Sequence, residues 1–183
     1  MTALLRFENV ALRRGGRLLL EGLDLSLGAG EALQVAGPNG SGKSSLIRLS
    51  AGLLQAERGL VQRSPCALAD DQVALDRELP LGRALGFWGS EVDAALISLG
   101  LDHLADVPVR LLSAGQLKRA TLARVAASNA PLWLLDEPLN ALDGDAVERL
   151  SRLIGDHLSN GGAVLAASHQ PLPGEWRRME LQS

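Results

Sequence analysis

The sequence has no tyrosine, and its aromatic rings are limited to two phenylalanines and three tryptophans in 183 residues. A site that stacks a ring on its ligand has few side chains to draw on. Cysteine occurs once, at Cys66, which excludes an internal disulfide and a thiolate cluster and makes a reducing, cytosolic compartment the expected setting. Cys66 itself reads as a small buried residue rather than a nucleophile. Long apolar runs are also missing: those present, such as residues 132–135, are far too short to cross a bilayer. Residues 1–8 lack a basic region followed by an apolar stretch, so no signal peptide is expected. Nor is there an excess of one charge. The net charge of -3 gives no general attraction to nucleic acid or anionic lipid, so any polyanion must be bound locally. Lysine is scarce too, with only Lys43 and Lys118, which makes a lysine inside a glycine-rich loop more informative.

What is present is apolar residue, 46% of the chain, enough for a substantial core in one domain. Residues 4–10 and 18–27 read as strands of an antiparallel meander, turning at Gly15-Gly16 and again around Gly30. Residues 32–36 form a mostly apolar strand that runs straight into a glycine-rich loop, and from Lys43 the pattern becomes helical up to a stop at Gly52. Residues 55–76 read as an irregular boundary between lobes. Helices are expected over 81–88 and 90–99, the second opened by a capping box of Ser90 with Asp93 and closed by Gly100. Ser113 is expected to cap a helix reaching Ser128, and Asp143 one reaching His157. Residues 132–135 and 163–167 are continuous apolar runs of the kind buried in a parallel sheet. Strands alternating with helices indicate an α/β fold.

Three segments carry chemistry. Gly37, Pro38, Asn39, Gly40, Ser41, Gly42, Lys43 and Ser44 fit the phosphate-loop pattern without a mismatch and sit between a strand and a helix. There, backbone N–H groups and a helix N-terminus converge on phosphate oxygens, Lys43 supplies a charge to the β- and γ-phosphates, and the Ser44 hydroxyl suits Mg²⁺. Ser45 completes the expected ATP contacts. Leu132-Trp133-Leu134-Leu135 delivers Asp136 and Glu137 to the carboxyl end of a strand, where Asp136 would hold Mg²⁺ and Glu137 would polarise the attacking water. Ser113, Ala114, Gly115 and Gln116 follow Leu112 at the start of a helix, where a hydroxyl and the first N–H groups make a second anion site.

The three segments, together with Ala141-Leu142-Asp143 and His169, occur in the order and approximate spacing of an ABC ATPase nucleotide-binding domain, and the chain resembles that family over nearly its whole length. The resemblance implies an α/β P-loop NTPase core with a mostly parallel sheet, an N-terminal antiparallel β-subdomain and a small helical subdomain bearing the signature. Its implied division runs from residues 1–72 through the helical part at 73–128 to 129–183. Two such domains sandwich two ATP molecules, so Ser113, Gly115 and Gln116 would act on the partner's γ-phosphate and Asp143 would lie in the loop that communicates across the interface. Gln72 resembles the glutamine that touches Mg²⁺ and the attacking water, although it lies closer to Lys43 than is usual. His169 resembles the switch histidine at the γ-phosphate, a catalytic role shared with Glu137 and Gln72.

The sequence departs from the family at the adenine end. Where an aromatic ring usually stacks on the base, it reads Leu12-Arg13-Arg14-Gly15, and the expected substitute is the planar face of Arg13 or Arg14. Ala114 within the signature, Val107-Pro108-Val109 before it and Ser168-His169-Gln170-Pro171 resemble the ATP-binding subunit of the cytochrome c maturation, haem exporter-type ABC complex. That resemblance implies a homodimer bound to integral membrane subunits on the cytoplasmic face of the inner membrane, with no nucleic acid bound. It implies no haem held directly, since one cysteine cannot make a C-x-x-C-H attachment site. Leu81, Leu85, Phe87 and Trp88 read either as a docking groove for a membrane subunit or as core. A transporter of another cargo would share every catalytic residue. A DNA-maintenance ATPase with a coiled-coil insertion is disfavoured by the lack of sustained heptads.

Overall fold

The computed structural model describes residues 3–181, so the outermost residues of the expected domain, 1, 2, 182 and 183, lie outside the described residues. β1 (Leu5–Arg14) and β2 (Arg17–Leu27) form a hairpin that β4 (Arg58–Arg63) extends, giving an antiparallel sheet in the order β2-β1-β4. The second sheet has five parallel strands. β5 (Cys66–Ala69), β6 (Leu132–Asp136), β7 (Ala163–Ala167), β3 (Ala32–Ala36) and β8 (Arg177–Glu180) lie in that order.

Strand alternation divides the core between two faces of this sheet. Leu33, Val35, Leu132, Leu134 and Leu165 point towards the hairpin and α1 (Lys43–Ser50). Trp133, Leu135, Val164 and Ala166 point the other way, towards the helical side. There lie α2 (Leu81–Gly86), α3 (Val92–Ser98), α4 (Ala114–Ala127) and α5 (Gly144–Ser159). Continuous burial of β3, β6 and β7 is what covering both faces of a parallel sheet requires. Truncating one of these leucines to alanine would cost about 2–5 kcal/mol.

The structure corrects several expectations. Residues 55–76 are not merely irregular, because they hold β4 and β5, which belong to different sheets. β4 is an almost fully exposed edge strand and β5 has only 4 residues, so neither shows a readable hydrophobic period. β8 went unseen for the same reason, being a charged edge strand. The Ser90–Asp93 capping box does not form. Gly89 lies hard against the Ala127 carbonyl and the helix starts later, at Val92, with Glu91 as its uncapped N-cap. α2 stops at Gly86, so Leu81 and Leu85 are core while Phe87 is 84% exposed.

Topology gathers four loops at one edge. The carboxyl ends of β3, β5, β6 and β7 lead into residues 37–42, 70–72, 137–143 and 168–172, which all lie along the same rim of the parallel sheet. Open α/β sheets bind ligands along that rim.

Candidate ATP-binding and hydrolysis site

β3 delivers the phosphate loop. Gly40 and Gly42 have φ of 83° and 102°, and a Cβ on Gly37 would meet the Leu181 carbonyl oxygen at 2.6 Å, so glycine is required by both conformation and space. α1 begins at Lys43 with no acidic residue in its first turn and no side-chain cap, so nothing competes with an anion for its leading N–H groups. The Lys43 ammonium is buried, donating to the carbonyls of Gly37 at 2.9 Å and Pro38 at 3.1 Å. A cleft of about 360 Å³ opens over the loop, lined by Asn39, Gly40, Lys43, Ser44, Ser45 and, from the strand rim, Glu137. Leu19 of β2 closes its far end against Gly42.

β6 carries the carboxylates. Asp136 is buried; burial pushes its carboxyl up, opposed by a hydrogen bond from Ser44, and its Oδ1 lacks a partner. An unpartnered buried carboxylate oxygen beside a serine hydroxyl fits Mg²⁺, which favours one or two protein oxygens plus phosphates and water over a full protein cage. No group of three or more His, Cys, Asp or Glu suited to a metal occurs among the described residues. Glu137 adopts φ +46°, unusual for a non-glycine residue, and its N–H donates to the Ala167 carbonyl at 2.8 Å. That bend turns its carboxylate to His169, whose Nδ1 lies 2.8 Å from Oε2. Both residues line a second cleft of about 480 Å³ with Gly37, Pro38 and Asn39.

The signature lies elsewhere. Ser113 caps α4 in a reciprocal box, its hydroxyl accepting from the Gln116 N–H at 3.3 Å while its own N–H donates to Gln116 Oε1 at 2.8 Å. Ser113 and Ala114 are exposed and line neither phosphate-loop cleft. Asp143 caps α5, accepting from the Ala146 N–H at 2.9 Å. The two segments touch within the chain, since a Cβ on Gly115 would sit 3.0 Å from the Ala141 carbonyl oxygen.

Gln72 does not join Glu137 and His169. It lines a separate, mostly apolar groove of about 420 Å³ with Leu53, Leu68, Trp88 and Arg124. Its neighbour Asp71 is close enough to raise the Asp136 carboxyl further. At the expected adenine end Arg13 is already engaged, with Glu57 at 3.2 Å and the Gly16 carbonyl at 3.0 Å, while Arg14 is exposed.

Two basic residues at this rim went unread in the sequence. Lys118 reaches the Asp136 carbonyl at 3.4 Å; burial pushes its ammonium down, and Asp71, Asp136 and Glu137 push it back up. Its rarity as one of two lysines was the only available signal. Arg124 lies over the Trp88 ring at 4.5 Å and donates to the Leu68 carbonyl, which gave no sequence pattern.

A sequence profile described as ABC transporter matches residues 20–140. The cytochrome c biogenesis ATP-binding export protein CcmA of Sphingopyxis alaskensis is 55% identical over 177 residues, which cover 92% of this chain and 91% of that protein. The protein of the same name from Zymomonas mobilis subsp. mobilis is 45% identical over 190 residues, covering 99% of this chain and 86% of the relative. Among solved structures, an ATP-binding subunit of an ABC transporter superposes with a TM-score of 0.84 at 22% identity, covering 91% of this chain and 79% of that one. A dimeric ATP-binding cassette bound to ADP and Pi in a post-hydrolysis state gives 0.79 at 23% identity, covering 91% and 88%. Such likenesses fix the fold as the P-loop NTPase α/β type with an added antiparallel sheet.

Proposed function

This chain belongs to the ABC transporter family of ATP-hydrolysing domains, and from that premise we propose that it is the ATP-binding subunit of a cytochrome c biogenesis export complex. The observation that carries the cargo assignment is 55% identity to a cytochrome c biogenesis ATP-binding export protein over 92% of the chain. Two copies close two sites between them, each phosphate loop meeting Ser113, Gly115 and Gln116 of the other copy. The exposure of Ser113, away from its own chain's phosphate-loop clefts, supports that arrangement. Membrane subunits complete the complex, and no helix among the described residues is long and apolar enough to cross a bilayer. The protein then sits peripherally on the cytoplasmic face of the inner membrane, binding neither haem nor nucleic acid itself.

In hydrolysis, residues 37–45 bind the phosphates of ATP, Lys43 leaving its loop carbonyls for phosphate oxygens. Ser44 and Asp136 would hold Mg²⁺, with Gln72 as a third candidate ligand, and the ion would supply charge neutralisation for the phosphates. Glu137 draws the proton of the attacking water, and His169, 2.8 Å from it, holds that carboxylate in place beside the γ-phosphate. Asp143 and the Ala141 carbonyl transmit closure to the signature helix. Arg14, with Arg13 held by Glu57, stacks on adenine. Leu53, Trp88 and Gln72 border the groove that receives a membrane subunit, which would link docking to Mg²⁺ contact.

Deleting the gene should abolish covalent haem attachment to c-type cytochromes, measured by haem staining and absorbance. The parent sequence should restore it and Glu137→Gln should not. Cytochromes c that remain after deletion would remove the cargo assignment and leave a transporter subunit for something else.

A further inference from the structure

We infer that Gln34 is a positioning residue for hydrolysis: from the strand that ends in the phosphate loop, its carboxamide fixes the backbone of the loop carrying His169. Gln34 is the only polar residue in β3 and is 4% exposed. Burying a carboxamide there is costly unless its groups are paired, and a Met or Leu would pack as well. Its groups are paired, all with one loop. Nε2 donates to the Gln170 carbonyl at 2.7 Å and more weakly to the Ser168 carbonyl at 3.4 Å, while Oε1 accepts from the Leu172 N–H at 3.4 Å. Those three backbone groups bracket His169 on both sides.

The clamp reaches the imidazole through Gln170. The Gln170 carbonyl also accepts from Ser168 Oγ at 2.8 Å, so its peptide is held from two directions. The Gln170 side-chain nitrogen then lies 3.2 Å from His169 Nε2, while His169 Nδ1 faces Glu137 Oε2 at 2.8 Å. With Nδ1–H donating to the Glu137 carboxylate, Nε2 is left to accept from Gln170, and both ring nitrogens are fixed. Gln34 is thus the first link of a chain running from the phosphate-loop strand through Gln170 and His169 to Glu137. β3 and β7 are adjacent strands, with Gln34 paired to Ala166, so the clamp spans a short and stiff path. The inference rests on the reading of His169 as a residue that acts during hydrolysis.

The test is a double-mutant cycle on MgATP hydrolysis, with binding of a fluorescent ADP as the check on folding. Gln34→Met should lower kcat about tenfold with KM within about twofold of the parent, because a modest misplacement of a reacting group costs rate rather than ground-state binding. In a His169→Ala background, read by single turnover, the same substitution should change the rate by less than about twofold. An equal loss in both backgrounds would show that Gln34 does not act through His169 and would overturn the inference. Should Gln34→Met fail to bind ADP, Gln34→Glu, which keeps the volume and the acceptor but loses both donations, is read by the same criterion. A His169→Ala chain as active as the parent would remove the reading of His169 itself, and this inference with it.

Discussion

The phosphate-loop rim and the signature helix are the two proposed anion-binding ends of this protein, and they differ in how complete they are. At the rim, Lys43, Asp136, Glu137 and His169 converge within one chain, from strands whose every residue is buried. At the signature, Ser113 and its box partner Gln116 pair with each other, at an exposed helix end that lines neither phosphate-loop cleft. The difference fits the proposed arrangement, in which one copy holds the chemistry and lacks its closure. Burial arranges the rim within one chain, whereas in the proposed dimer the signature end is completed by the second copy.

Substitutions at the two regions should therefore fail differently. The largest expected effect is at the rim: Glu137→Gln should lower phosphate release by about 100-fold or more while leaving fluorescent ATP binding intact. Equal phosphate release by parent and variant would take Glu137 out of the mechanism. At the other end, Gly115→Ala brings a methyl to within 3.0 Å of the Ala141 carbonyl oxygen, so the signature helix or residues 140–143 must shift by a few tenths of an ångström. Hydrolysis should fall about 10-fold with the affinity of the isolated chain for ATP unchanged, since that affinity belongs to the rim. If instead binding weakens as much as hydrolysis, the two regions are not separable in this way.

The smallest effect distinguishes the opposite edge of the sheet from both. His157 stacks on Trp133 at 3.8 Å, and burial lowers its pKa. The folded state thus disfavours the protonated ring, and the unfolded chain binds more protons once pH falls below its ordinary pKa of about 6.5. Stability should be level above that pH and decline as pH falls through 6.5 towards the depressed folded value. His157→Phe, which keeps a stacked ring, should flatten that part of the thermal-midpoint profile without altering hydrolysis at pH 7.5. A profile that keeps its slope would assign the pH sensitivity elsewhere.

How much of this was legible follows the same division. Motifs made of consecutive residues at one strand end were readable, because their spacing is the geometry: Gly37 to Ser44, Asp136 with Glu137, and the Ser113 cap all fall at the expected element boundaries. The strands β4, β5 and β8 were not, since short or exposed edge strands bury too little to show a period. The Ser90 cap failed because a tertiary contact, Gly89 against Ala127, decided where the helix could start. Gln72 was recognised by order in the chain, but it lines a groove with Trp88 and Arg124 and not the clefts that Glu137 lines. Gln34 could have been flagged, being a lone polar residue in a buried strand. Its partners lie 134–138 positions away, and no local pattern names them.

The central claim, that each site is completed by another copy, is tested most directly by cross-linking. In a Cys66→Ser, Glu137→Gln background, chains carrying only Asn39→Cys are mixed with chains carrying only Ser113→Cys and oxidised with and without MgATP. Both positions are exposed, and neither chain can bridge the two positions by itself. The account predicts a covalent dimer of the two kinds of chain that depends on MgATP. It would be contradicted if the mixture stayed uncoupled while a chain carrying both cysteines closed a disulfide within itself.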